Sequence, residues 1–168
     1  MLAFVRSQID TPIKAVEVGV FHGEFAVFIL RVLDPVELHL VDPWKHYDNV
    51  GGLMSRRLKK QPWEQTYEEV KQKFAPFPAV KIIRQESVPA SEQFQDGSLD
   101  FCYIDGDHTY PAVTDDIRVW RPKVRPGGFL AGHDLNIASV ACAVFDAFPN
   151  NGVEITALEF DISWFVRL

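Results

Sequence analysis

Apolar positions along this chain come in short dense runs separated by polar turns. Lys14–Val20, KAVEVGV, is brief and β-branched, which predicts a strand, whereas Gly23–Leu33, GEFAVFILRVL, places its apolar residues at helical spacing. Val36–Val41, Ala79–Arg84, Leu99–Ile104 and the FLAGH run after the Pro126–Gly128 turn read as further strands, with helices at Pro111–Trp120 and Ser139–Phe148. A polar insert from Pro43 to about Pro78 contains one helix, PWEQTYEEVKQKF. VEITALEF and SWFVRL end the sequence with only a tight turn between them. That link is too short for a parallel crossover and predicts an antiparallel hairpin.

Strands alternating with helices in this way predict one α/β domain over residues 1–168, a doubly wound and mostly parallel sheet with helices on both faces. Such sheets bind ligands beyond the carboxyl ends of their strands. Unusual polar residues gather at those ends. Glu17 and Gly19 belong to the first strand, Asp42 to the second, Glu86 and Ser87 to the third, Asp105 to His108 to the fourth, and His133 and Asp134 to the fifth.

The net charge of −6 tells against nucleic acid and anionic membrane as partners, both of which call for a basic surface. The basic run Arg56–Lys60 reads as a solvated helix face. Cys102 and Cys142 stand apart among apolar neighbours and are expected to be buried, and there is no CxxC spacing for zinc. The first ten residues are too polar for a signal peptide, and no apolar run is long enough for a membrane helix. A reduced, soluble, cytoplasmic protein is the expectation.

In EVGVFHGEF, Gly19 allows a tight turn and Gly23 a close approach at the helix start. The spacing is GxxxG rather than the GxGxxG of nicotinamide-cofactor sites, and Glu17 would repel a pyrophosphate. Asp42, ending the second strand, is placed to accept ribose hydroxyls. A positively charged nucleoside such as S-adenosylmethionine suits these acids better than NAD does.

With VEVGVFHGEFA, LVDPW, SLDFCYIDGDHTYPAVTDDIRVWRPKVRPGGFLAGHD and SWFVRL in view, the chain resembles the class I S-adenosylmethionine-dependent methyltransferases. More narrowly, it is similar to the macrocin O-methyltransferase and cephalosporin hydroxylase-like group. The resemblance implies strand order 3-2-1-4-5-7-6 with an antiparallel seventh strand, which agrees with the hairpin. It also implies that Glu17, Gly19, Phe21 and Gly23 lie near the methionine moiety, Asp42 at the ribose, and Glu86 and Ser87 near the adenine, with Trp44 as a packing partner for the base.

In metal-dependent relatives, an aspartate ending the fourth strand and an acidic pair ending the fifth hold a divalent cation, and a histidine three residues after that aspartate acts as base. Asp105, Asp134 and His108 fit this pattern, and Asp105 also borders the cofactor. His133 replaces the first acid of the later pair; its imidazole suits Mn²⁺, Fe²⁺ or Zn²⁺ better than Mg²⁺, and the alternatives are a histidine that points at substrate or a site without metal. Asp107 reads as a turn-shaping residue. Asp115 and Asp116 read as structural acids near a helix start.

The insert reads as a lid over a small-molecule acceptor, with Tyr47, Trp63 and Tyr67 as its aromatic residues and VGG as a hinge. The expected activity is O-methylation of a sugar, natural-product or aromatic hydroxyl. A homo-oligomer could complete the site. The competing readings are a non-catalytic nucleoside-binding module and, less favoured, a nicotinamide-dependent oxidoreductase.

Overall fold

The computed structural model describes residues 1–10, 12–45, 61–149, 152–158 and 161–168. Seven strands form one sheet: β1 (Lys14–Val18), β2 (Glu37–Val41), β3 (Val80–Ile83), β4 (Leu99–Ile104), β5 (Val124–Gly132), β6 (Glu154–Leu158) and β7 (Asp161–Arg167). Their order is β3-β2-β1-β4-β5-β7-β6, parallel from β3 to β5. The terminal pair is an antiparallel hairpin, and β7 also runs antiparallel to β5. The chain therefore builds outward from β1 through β2 to β3, then crosses back to lay β4 on the other side of β1, and this reversal opens a crevice at the carboxyl ends of β1 and β4.

Two cores flank the sheet. Helices α1 (Leu2–Gln8), α2 (Glu24–Leu33) and α3 (Trp63–Phe74) cover one face with Val5, Ile29, Leu33, Val70 and Phe74. Helices α4 (Ser87–Ser91), α5 (Tyr110–Trp120) and α6 (Ala138–Ala147) cover the other with Ala90, Val113, Ile117, Trp120 and Val144. Central strands are mostly apolar because both faces are buried; every residue of β4, Leu99–Ile104, is buried, Asp100 included.

The structure departs from the sequence expectations at several points. Helix α1 was not expected; its short apolar stripe, Leu2 and Val5, is too brief to show periodicity. Helix α4 was hidden by Pro89 within its five residues. The PGG segment lies inside β5 rather than before it, and the pairing with β4 slips there, between Leu99 and Phe101. Cys102 is buried as expected, but Cys142 is exposed, because the apolar residues beside it in sequence point to other sides of α6. Within the insert, Trp63–Phe74 forms a helix fixed to the body by the buried Thr66, Val70 and Phe74. Tyr47 and Gly51–Gly52 lie outside the described residues.

Candidate functional site

The parallel strands continue to hydrogen-bond one step past their ends. Asp42 N–H donates to Ile83 (3.2 Å), Gly19 to Val41 (2.9 Å), Asp105 to Val18 (2.7 Å) and His133 to Ile104 (3.1 Å). These bonds set Asp42, Gly19, Asp105 and His133 in one row along the carboxyl edge. Strained backbone gathers beside the row. Phe21 (φ 50°), Trp44 (φ 42°) and Asp134 (φ 55°) occupy the left-handed region that non-glycine residues seldom enter.

The glycine loop is held from below by Asp42. Its Oδ2 accepts from the amides of Val20 and Phe21, each at 2.9 Å, and its Oδ1 accepts from the Trp44 amide at 2.7 Å. Burial pushes the Asp42 carboxyl up, and the three amides oppose that push. The structure thus gives Asp42 a bracing role that the sequence did not disclose. Trp44 was expected to pack on a base. Its side chain is buried, with its indole N–H donating to the Phe21 carbonyl at 2.8 Å, so it props the loop. Gly23 was expected to admit a ligand. A Cβ there would stand 2.5 Å from Cε2 of Phe74, so the missing side chain makes room for α3. Helix α3 grips the same loop elsewhere: Lys73 Nζ donates to the His22 carbonyl at 2.5 Å, and Phe21 packs edge-on to Trp63.

Glu17 lies beneath this loop, 1% exposed, and among the described residues its Oε2 has no hydrogen-bond partner. Burial, and then the nearby Asp105 and Asp42 carboxylates, push its carboxyl well above the usual range, with Lys73 opposing. A buried acid of this kind is stabilised by a donor or a cation and would be further destabilised by a phosphate.

At the β4 and β5 tips, four side chains converge. His108 Nε2 is 3.3 Å from Asp105 Oδ1 and 3.2 Å from Asp134 Oδ2. His133 Nδ1 is 3.3 Å from Asp134 Oδ1 and 3.8 Å from Asp105 Oδ1. The hydrogen bond to Asp105 holds the His108 imidazole above its ordinary value. Burial raises Asp105, and the bond from His133 lowers Asp134. Potential ligand atoms of Asp105, His108 and Asp134 lie within 4.8 Å of one another. His108, expected as the base, therefore groups with the two aspartates more tightly than His133, the expected ligand. Asp107 shapes the turn as expected, accepting from the Thr109 amide at 2.8 Å.

Ser87 and Glu86 sit at the β3 end. Lys45 pairs with Glu86. Ser87 donates to Asp116, and the Trp120 indole donates to Ser87 Oγ at 2.9 Å. Asp116, read as a helix-start acid, lies instead in the second turn of α5, only 5% exposed. Burial pushes its carboxyl up to about 6. One sequence signal was available: an acid four residues before Trp120 on the apolar stripe of α5. A separate open cleft of about 550 Å³ lies between Trp44, Lys45, Trp63 and Arg84 and shares no wall with the His108 corner.

A family model described as a methyltransferase domain matches residues 16–135, more than half of the 168-residue chain. The chain belongs to this family, and its fold is that of the class I S-adenosylmethionine-dependent methyltransferases. The uncharacterized protein y4gI of Sinorhizobium fredii is 26% identical over 139 residues; the match covers 69% of this methyltransferase chain and 15% of that much longer protein. Among solved structures, the O-methyltransferase NovP superposes with a TM-score of 0.71 at 19% identity, over 99% of this chain and 79% of that one. An rRNA methylase from Streptococcus thermophilus reaches 0.69 at 9% identity, over 99% and 92% of the two chains. Spermidine synthase from Thermotoga maritima reaches 0.60 at 16% identity, over 98% and 55%. At these identities the structural likenesses establish the fold.

Proposed function

We propose that this methyltransferase transfers a methyl group to a hydroxyl of a small molecule, with His108 as the proton acceptor. The observation that carries the cofactor half of this reading is the buried Glu17 Oε2 without a partner, beside Asp42 and Asp105. Three acids around a glycine loop suit a ligand bearing ammonium and sulfonium charge. Glu17, Gly19 and Phe21 would hold its methionine end, Asp42 its ribose, Glu86 and Ser87 its base, and Asp105 the side nearest the acceptor. S-adenosylmethionine supplies an electrophilic methyl group when bound. Asp42 would serve the ribose only by sharing a carboxylate that already accepts three amides.

The acceptor's proton has a destination in His108. With the proton on Nε2 shared between Asp105 and Asp134, Nδ1 carries a lone pair able to take a hydroxyl proton. The net charge of −6 supports a small acceptor over RNA.

The same geometry supports a second reading of this corner. Asp105, His108 and Asp134 offer two carboxylates and an imidazole, a donor set that fits Mn²⁺ better than Mg²⁺. A cation held there would lower the pKa of a hydroxyl beside it. Nε2 cannot serve both roles at once, so the metal-free and metal-bound readings are separable.

Calorimetry with S-adenosylhomocysteine and with NAD, followed by turnover against a panel of hydroxylated acceptors, tests the proposal. The first ligand binds, NAD does not, and His108→Ala lowers turnover by about 10²–10⁴-fold with S-adenosylhomocysteine affinity nearly unchanged. Tight NAD binding, or a fully active His108→Ala protein, would overturn it.

A further inference from the structure

Among the described residues, the indole nitrogen of Trp164 is a buried donor with no hydrogen-bond partner, on a residue 1% exposed. An indole N–H can only donate, and burial makes an unmet donor costly, so it calls for an acceptor. The sheet fixes where that donor lies. Trp164 on β7 pairs with Gly132, the last residue of β5. The indole lies across the bare Cα of this glycine: a Cβ there would stand 2.7 Å from both Cε2 and Cζ2 of Trp164, and 2.6 Å from the Ile104 carbonyl oxygen. Nε1 is bonded to Cε2, so the donor sits at the tips of β4 and β5, beside the histidine corner.

A small cavity lies at the same place. It measures about 10 Å³, the room of one water and of nothing larger. Trp164, Val113 and Val140 wall it on the core side, while Asp105, Asp107, His108 and His133 supply its polar wall. Cavities that stay dry are apolar throughout, and this one is not. A polar cavity of that size beside an unmet buried donor has the chemistry of an internal water site.

We propose that this cavity binds one water molecule, which accepts the Trp164 indole hydrogen and ties β7 to the histidine corner. With one lone pair on the indole, the water presents two hydrogens and a second lone pair to the polar wall. Carboxylate oxygens and unprotonated imidazole nitrogens accept the hydrogens, and an imidazole N–H can donate to the lone pair. Trp164 is thus a positioning residue that acts on His108 and His133 through the water and touches no reactant. The inference deepens the reading of this corner above and rests on it only for what the corner does. The water site itself stands on the cavity and the indole, whether His108 works as a lone base or beside a cation.

The test is a pair of water-selective ¹H–¹⁵N spectra, one with laboratory-frame and one with rotating-frame transfer, on ¹⁵N-labelled protein. Loss of one indole signal in Trp164→Phe assigns the Trp164 resonance. The expected result is a cross-peak from water to the Trp164 indole hydrogen with the sign of direct dipolar contact to a long-lived water. None of the residues lining the cavity carries a hydroxyl that could relay such a signal by exchange. A visible indole signal without a water cross-peak shows a dry cavity and overturns the proposal. A cross-peak with the sign of chemical exchange shows an indole open to solvent and overturns it as well.

Trp164→Phe keeps an aromatic ring and removes the donor. The ¹⁵N resonances of the His108 and His133 imidazoles, recorded at one fixed pH, should then move by more than a changed ring current produces. A merely space-filling tryptophan would leave them in place, so unmoved imidazole nitrogens in a folded variant would refute the positioning role. Thermal unfolding checks that the variant is folded, and the wild-type water measurement stands without it. Full activity of His108→Ala would instead sink the base reading of the corner, and it leaves the water measurement untouched.

Discussion

Gly19 touches Asp105 backbone to backbone: a Cβ on Gly19 would stand 2.0 Å from the Asp105 carbonyl oxygen. The glycine loop and the aspartate–histidine corner therefore share a wall, with no side chain able to come between them. Gly19 also has φ of 86°, a conformation costly for any L side chain. Gly19→Ala should destabilise the fold by about 2–4 kcal/mol, combining overpacking with backbone strain. Urea denaturation measures the loss. A variant as stable as wild type would show that the contact gives way without cost.

Asp42 is the brace of the same loop. Asp42→Ala orphans three amides and should lower S-adenosylhomocysteine affinity by about 10–100-fold, with a stability loss of about 1–3 kcal/mol. Asp42→Asn keeps an acceptor on one side only and should fall between Ala and wild type. Calorimetry and chemical denaturation of the pair would separate bracing from ligand binding, since bracing alone moves stability without ligand present.

Mn²⁺ titration followed by electron paramagnetic resonance distinguishes the two readings of the histidine corner. If Asp105, His108 and Asp134 hold a cation, Asp105→Asn and His108→Ala each weaken Mn²⁺ binding by at least about tenfold, whereas His133→Ala changes it less. Chelation then abolishes turnover and Mn²⁺ restores it. Full activity in chelator leaves His108 as a lone base.

Asp116 makes stability fall as pH rises. Its folded pKa of about 6 lies above the ordinary 3.8, so the folded state binds the proton more tightly than the unfolded chain. The favourable contribution of the protonated acid is full below the unfolded value and is lost progressively up to about pH 6. The span from 3.8 to about 6 corresponds to about 3 kcal/mol. Asp116→Asn should remove this slope and be more stable than wild type at pH 7.5 by about 1–3 kcal/mol. Denaturation at pH 4.5, 6 and 7.5 checks it, and parallel curves for the two proteins would refute it.

The hairpin, the alternation of elements and the row of polar strand ends were legible without coordinates, because they depend on local periodicity and on one topological rule. A run such as LDFCYI, apolar at every position but Asp100, fits only a strand with both faces covered, and a link as short as that between VEITALEF and SWFVRL permits only an antiparallel return. The same logic put Glu17, Asp42, Asp105, His108 and Asp134 at the carboxyl edge. What each group does there depended on contacts distant in sequence. Asp42 meets the amides of Val20 and Phe21 more than twenty positions away, and Ser87 meets Asp116 across 29. The bond from the Trp44 indole to the Phe21 carbonyl had no local signal either, because a tryptophan after a strand looks the same in sequence whether its ring faces a ligand or the core. The room that Gly23 leaves for Phe74 was equally hidden, because Phe74 arrives from α3. Local pattern determines which face of an element is buried; only the packed fold determines which partner meets each polar group, and hence which acids are already satisfied and which still have an open oxygen.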